Sequence, residues 1–181
     1  QSQRVFLLVL LFIFPQKAFP SDSKIIDQGV SVFMYHRFNE SKFPSTNVSE
    51  EQFLSHLEFI KENDFKILNI DQVIKYIDEG KVFSKKSIAL TVDDAYESFY
   101  SIAWPYLKEN NIPVTLFVST ESVDQNPGGY MSWDQIRNFV SEGGIVGQHT
   151  ASQLHKPLDD ISVDEDDILR SHKIILFEMG V

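Results

Sequence analysis

Residues 87–96 read SIALTVDDAY, and this stretch decides the fold class. Its first six residues are mostly apolar and rich in β-branched side chains, which predicts a strand. An apolar strand without alternation is typical of a parallel sheet that helices cover on both faces. The strand ends in Asp93 and Asp94. Because parallel sheets of this class place function at the carboxyl ends of their strands, these carboxylates mark the expected site.

Strand and helix patterns alternate about five times along the chain, which predicts an α/β fold. The strands are predicted at residues 29–36, 65–70, 87–92, 114–119 and 145–147, the first of them buried. The helices are predicted at residues 49–63, 71–80, 97–110, 132–142 and 162–180.

Local signals define the helix ends. Ser49 with Gln52, and Ser132 with Gln135, have the spacing of capping boxes. Asp71 is predicted to cap the second helix, and Pro105 is predicted to kink or break the third. The inward face of the second helix is predicted to carry Val73, Ile74 and Ile77, and Gly80 is its predicted end.

Composition excludes several function classes. The 181 residues carry a formal net charge of −10, which argues against a nucleic-acid partner because such proteins need a basic face. Cysteine is absent, so disulfides, thiolate metal sites and a cysteine nucleophile are excluded. A metal ion would need His, Asp, Glu or amide ligands.

Residues 5–14 (VFLLVLLFIF) form an apolar run that follows Arg4. Ten residues are too few to span a bilayer as a helix, so we interpret residues 1–20 as a secretory signal peptide. The alternatives are a buried element and a retained membrane anchor. Cleavage would leave an exported domain over residues 25–181 with no stable membrane span, in the periplasm, the cell envelope or the extracellular space. The end of the chain within a helical pattern predicts that the domain is C-terminally incomplete.

Two polar clusters could carry chemistry. Of the pair Asp93 and Asp94, one carboxylate could bind a cation while the other acts as a base, although either could instead cap the next helix. His149 and His155 follow the strand at residues 145–147, where Gly147 permits close backbone approach. Imidazoles together with a carboxylate can form an open catalytic metal site.

Aromatic and basic residues surround these clusters. Tyr35 and His36 end the first strand at the same predicted edge and are candidate substrate-binding residues. Tyr130 and Trp133 lie next to Gly128 and Gly129 and could form a sugar-stacking loop, although core packing is the alternative.

These motifs resemble a known family. Residues 91–96 (TVDDAY) are similar to the T-F-D-D-G-Y signature of the polysaccharide deacetylases, also called the NodB-homology group. Residues 149–152 (HTAS) resemble the beginning of the family's second signature, H-[ST]-x-x-H. The resemblance runs from about residue 30 to the end, with the core motifs at about 85–181. It implies a distorted (β/α) barrel, here truncated at the C-terminus.

The resemblance also implies a function. By position, Asp93 would be the catalytic general base, and Asp94 and His149 would bind a divalent metal ion, usually zinc. The family's second metal-binding histidine falls at Gln153, and His155 could substitute for it. The implied reaction is the hydrolysis of N-acetyl groups from an amino-sugar polymer or oligomer, and the implied partner is an N-acetylated glycan.

The sequence departs from the family pattern at three places. An amide at Gln153 is a weaker zinc ligand than imidazole, and Ala95 stands where the family has glycine. The family's later motifs, including its general acid, are not present, which predicts little activity for this chain alone and an exposed sheet edge. The alternatives are a catalytically impaired glycan-binding relative without metal and a structural envelope protein.

Overall fold

The computed structural model describes residues 29–83, 86–152 and 161–180. The predicted signal peptide (residues 1–20), Gln153 and His155 lie outside the described residues, so what the sequence predicts for them stays a prediction.

The described part of the chain is an α/β fold built on a parallel sheet. Its strands, in chain order, are β1 (Val30–Tyr35), β2 (Arg37–Phe38), β3 (Asn47–Val48), β4 (Lys66–Leu68), β5 (Ser87–Asp93), β6 (Thr115–Ser119) and β7 (Ile145–Thr150). The main sheet has the order β1-β5-β6-β7, and every pairing in it is parallel. β4 pairs with the first half of β5 and β6 with its second half, while β2 and β3 form a separate small pair.

The predicted helices lie between these strands, together with an additional one. The helices are α1 (Glu50–Glu62), α2 (Ile70–Asp78), α3 (Trp104–Glu109), α4 (Thr120–Gln125), α5 (Trp133–Ser141) and α6 (Ile161–Met179). Of these, α4 is the additional helix, which the sequence pattern does not predict. Capping boxes begin α1 at Ser49 and α5 at Ser132, which confirms both predictions. A π-helical turn, Phe99–Ala103, leads directly into α3 and interrupts the α-helical hydrogen-bond pattern just before Pro105, which lacks the N–H that a continuous α-helix needs.

The predicted start of α2 is wrong, because the helix is capped two residues earlier than predicted. Asn69, not Asp71, is the cap: its side chain accepts the backbone N–H of Gln72 at 2.7 Å, and the Gln72 side chain accepts the N–H of Asn69 at 3.1 Å. The inward face is also narrower than predicted. Val73 is buried, but Ile74 and Ile77 are 50% and 64% exposed, because α2 packs on a small cluster through one side only.

β5 is the centre of the core, and all seven of its residues are buried, as its sequence predicts. The main cluster surrounds it with large aromatic side chains, among them Phe38, Phe53, Phe99 and Phe139. β1 is a strand, but its predicted burial is wrong. Within the described residues β1 pairs only with β5, and the side chains of Val32, Phe33 and Met34 are about half exposed.

β7 is longer than predicted, because its pairing with β6 continues past residue 147 to Thr150. His149 therefore lies on the strand rather than in the following loop. Among the described residues, no helix combines the length and the apolar character that crossing a bilayer requires.

Candidate active site

Asp93 and Asp94 lie at the carboxyl end of β5, and their exposed fractions are only 8% and 9%. Neither caps the helical segment that begins at Glu97, because the N–H groups of Glu97 and Phe99 donate to the carbonyls of Gly129 and Tyr96 instead of to either carboxylate. The capping alternative is therefore wrong. Since neither of these nearly buried carboxylates serves as a helix cap, both are available for proton transfer or cation binding.

The chain turns sharply after Asp93. Asp94 and Ala95 adopt the left-handed conformation, with φ of 73° and 59°, which costs about 1–2 kcal/mol per non-glycine residue. Ala95 thus takes the backbone conformation for which glycine is better suited. Such strain persists where surrounding contacts fix it. Here the N–H of Met131 donates to the carbonyl of Ala95 at 2.8 Å, and the N–H of Glu97 donates to the carbonyl of Gly129 at 2.9 Å.

A β-bulge brings His149 into the site. In the pairing of β6 with β7, Val118 opposes Gln148 and Ser119 opposes Thr150, so His149 is the extra residue on its strand. Bulges re-aim side chains and are common next to active sites. The Nε2 atom of His149 lies 3.6 Å from Oδ2 of Asp93 and 4.0 Å from Oδ1 of Asp94. The structure therefore brings together the side chains that the two motifs supplied.

Close packing of β6 against β7 supports this arrangement. Gly147 opposes Phe117, and a Cβ atom at Gly147 would lie 2.5 Å from Cε1 of the Phe117 ring. The close approach predicted at Gly147 is thus present two residues before His149.

Electrostatics couple the three side chains. The Asp93 carboxylate as an acceptor, together with the charges of Asp94 and Asp93, raises the pKa of His149, and partial burial opposes this rise. At 3.6 Å the contact with Asp93 is an ion-pair distance rather than a well-formed hydrogen bond. The carboxylates therefore attract a positive charge to the position of His149.

Ser119 is a site residue that sequence reasoning missed. Its side chain is fully buried, and its hydroxyl donates to Oδ1 of Asp94 at 3.0 Å. The signal that could have identified it is a polar residue at the end of the strand next to β5.

A stacked arrangement around Arg37 was also missed. The guanidinium carbon of Arg37 lies 3.4 Å from the ring centre of Tyr96 and 3.9 Å from that of Phe43, and its Nη1 pairs with Glu40 at 2.6 Å. The Tyr96 ring contacts that of Tyr130, with centres 4.9 Å apart. Burial, followed by the charge of Asp94, raises the pKa of Tyr96. This stack borders the turn that carries Asp94.

Tyr35 and His36 are the remaining predicted site residues within the described part of the chain. Tyr35 is buried, and its hydroxyl lies 3.1 Å from Nδ1 of His56; burial raises the pKa of Tyr35 to about 12. His36 follows β1, in which Tyr35 opposes Val92, so it leaves the sheet beside Asp93. A substrate contact by either residue stays a prediction.

The donor set fits a divalent ion in part. In the described ranges, no group of three or more His, Asp or Glu side chains is arranged to hold a metal ion. Asp94 and His149 supply a carboxylate and an imidazole 4.0 Å apart. Zinc bonds to such donors are about 2.0–2.2 Å long, so one ion can reach both atoms. Gln153 and His155, the predicted candidates for a further ligand, lie outside the described residues.

Comparison with known proteins identifies the relatives of this chain. Curated relatives include a poly-beta-1,6-N-acetyl-D-glucosamine N-deacetylase of Staphylococcus aureus (strain MSSA476), 33% identical over 93 residues, which are 51% of this chain and 32% of the relative. A putative polysaccharide deacetylase, YxkH, of Bacillus subtilis (strain 168) is 24% identical over 123 residues, 68% of this chain and 43% of the relative. The chain thus spans about a third of the length of the first of these relatives and less than half of the second.

Solved structures agree with the fold. IcaB from Ammonifex degensii superimposes with a TM-score of 0.75 at 26% identity, covering 85% of this chain and 71% of that one. The Streptococcus pyogenes deacetylase PplD, in complex with acetate, gives a TM-score of 0.74 at 19% identity over 85% of this chain and 70% of that one, a likeness of fold alone. The family model described as polysaccharide deacetylase matches residues 80–176, which include both motifs. The resemblance seen in the sequence is therefore confirmed, and the chain belongs to the polysaccharide deacetylase family.

Proposed function

We propose that this protein hydrolyses N-acetyl groups of an amino-sugar polymer, with Asp93 as general base. The observation that carries the proposal is the convergence of Asp93, Asp94 and His149 within 4.0 Å at the carboxyl edge of the sheet. Family membership supports the reaction class.

The reaction adds water to the acetyl carbonyl carbon and breaks the carbon–nitrogen bond. Acetate keeps the oxygen of the water, and the sugar nitrogen leaves as an amine that carries a proton from that water. Asp93 is suited to accept the proton first, because its carboxylate is nearly buried, lies beside His149 and serves no helix cap.

Asp94 and His149 are the residues that would hold a divalent cation, for which zinc is our choice. When bound, the cation polarises the acetyl carbonyl and makes water more acidic. The hydroxyl of Ser119 fixes Oδ1 of Asp94, so the carboxylate is oriented before any ligand arrives.

The substrate class follows from the relatives. Several of them are named as deacetylases of poly-beta-1,6-N-acetyl-D-glucosamine, and this polymer is the first to test. We further propose that the substrate is met outside the cytoplasm, in agreement with the export predicted from residues 5–14.

Two substitutions in the full-length protein test the roles. Asp93→Asn should abolish acetate release while zinc affinity, measured by calorimetry, stays close to that of the wild type. Asp94→Asn should weaken zinc binding itself. The control is Asp134→Asn, which changes a carboxylate that is 85% exposed and should alter neither readout. If both site variants release acetate at the wild-type rate, the assignment is wrong.

A third variant separates this proposal from the glycan-binding alternative. Gln153→His would restore the family's imidazole at that position. Tight one-to-one zinc binding by the wild type supports the enzyme. Weak binding that Gln153→His strengthens by orders of magnitude supports a relative that has lost its metal.

A further inference from the structure

The segment that follows His149 is held by a buried carboxylate on α6. Asp167 is 8% exposed, and its side chain accepts the backbone N–H of Ala151 at 2.8 Å and that of Ser152 at 3.1 Å. We propose that Asp167 is a positioning residue that keeps His149 facing Asp93 and Asp94. This inference rests on the proposed function, since the position of His149 matters through the site it completes.

The other side of His149 is tied to the same helix. The side-chain amide of Gln148 donates to the carbonyl of Ile168 at 2.7 Å. Contacts with α6 therefore flank His149 on both sides in sequence, at Gln148 and at residues 151–152. The start of α4 adds a third tie, since the N–H of Glu121 donates to the carbonyl of Ala151 at 3.0 Å.

His149 depends on these ties because of its place in the sheet. As the extra residue of a bulge, it has no opposing residue on β6. A bulged residue is left unpaired by the ladder, so the sheet alone does not fix its backbone. The contacts of its neighbours with α6 therefore fix the backbone that carries its side chain, whose ring also lies 3.4 Å from Oγ1 of Thr150 through Nδ1.

The chemistry at this position favours a carboxylate over an amide. Within the described ranges no cationic side chain pairs with Asp167, so the two backbone N–H groups are what offsets its burial. An Asn side chain has one accepting oxygen and would direct an N–H₂ group at a backbone donor. Asp167→Asn therefore removes one of the two bonds while changing the side-chain volume very little.

The experiment compares neighbouring carboxylates of the full-length protein. Asp167→Asn should lower zinc affinity about 10–100-fold, the usual effect of losing a residue that orients a metal ligand. Asp166→Asn is the matched control, because Asp166 is the adjacent residue on α6 and is exposed. It should leave zinc affinity unchanged. Asp167→Glu keeps both accepting oxygens and should recover most of the affinity.

Metal-free protein gives an independent readout. In Asp167→Asn, the amides of Ala151 and Ser152 should exchange hydrogen faster, and the NMR signals of the His149 ring should shift. Gln148→Ala removes the hydrogen bond from Gln148 to the carbonyl of Ile168. Because the Gln148 side chain is partly exposed, this variant should fold. It should show the same changes and serves as the test if Asp167→Asn does not fold.

The outcomes separate the two proposals. If the wild type does not bind zinc, the proposed function fails, and the amide exchange and His149 signals still decide the role of Asp167. If Asp167→Asn folds and leaves zinc affinity and the His149 ring signals unchanged, the positioning role is overturned. The same holds if Asp166→Asn has an equal effect.

Discussion

Replacing Gly147 by alanine tests the packing beneath the candidate site. The added Cβ would lie 2.5 Å and 2.6 Å from two carbons of the Phe117 ring, whereas carbon atoms in contact are normally about 3.5–4.0 Å apart. The ring must therefore move by roughly 1 Å, or β6 and β7 must separate.

The expected loss of stability is the difference of two effects. Overpacking costs typically about 1–3 kcal/mol, and the reduced freedom of the unfolded chain returns about 0.4–1 kcal/mol. The net result should be a decrease of about 0.5–2 kcal/mol in the free energy of unfolding, measured by urea denaturation of the metal-free protein.

The chain offers a matched control at Gly29, where an added Cβ meets no atom within 4 Å. Gly29→Ala should therefore be neutral or slightly stabilising. The double variant Gly147→Ala with Phe117→Leu should recover part of the loss, because the smaller side chain makes room for the methyl group. If Gly147→Ala behaves like Gly29→Ala, or if shortening Phe117 brings no recovery, the close approach is not what Gly147 provides.

Three further changes have distinct expected results. Ser119→Ala removes the hydroxyl that donates to Asp94 and should lower zinc affinity about 10-fold or more in calorimetry. Its control is Thr115→Val, which removes a buried hydroxyl without a partner among the described residues and should leave zinc affinity unchanged. Because burial raises the pKa of Tyr35 in the folded protein to about 12, the contribution of its neutral phenol to stability is complete below pH ~10 and is lost as the pH rises to about 12. Tyr35→Phe should reduce this alkaline loss of unfolding free energy by up to about 3 kcal/mol in urea titrations. An unchanged pH profile would contradict the burial of the phenol. Arg37→Lys keeps the charge beside Glu40 but loses the planar stack on Tyr96. The free energy of unfolding in urea should therefore fall by about 0.5–2 kcal/mol. Equal stability of the variant and the wild type would argue against the stack.

The sequence predicts the part of the site that local pattern determines. Asp93 and Asp94 are contiguous with the apolar strand that precedes them, so their place at its carboxyl end follows from period and composition alone. The start of α2 was mispredicted, because Asn69 and Asp71 are both good caps and only the observed contacts choose between them. The burial of β1 depends on which strands lie beside it, which its own residues do not encode.

Other features depend on pairings between distant segments. The bulge at His149 is a property of the register between β6 and β7, and a sequence pattern for one strand does not contain it. Ser119 and Asp167 are an ordinary strand-end serine and one acid among several on α6. Their roles appear only when folding brings Ser119 to Asp94 and Asp167 to the amides of residues 151–152.

The two halves of the site share one physical design. The carboxylates follow a strained left-handed turn, and the imidazole stands on a bulge, so neither half is fixed by regular secondary structure. Each is held from outside its own strand, the turn by residues 129–131 and the bulge by α6. Loss of either support should leave the buried sheet intact while separating the imidazole from the carboxylates. The geometry of the site is therefore more sensitive than the fold to substitutions outside the two strands. Variants that remove one of these supports should lose metal affinity while their unfolding remains cooperative.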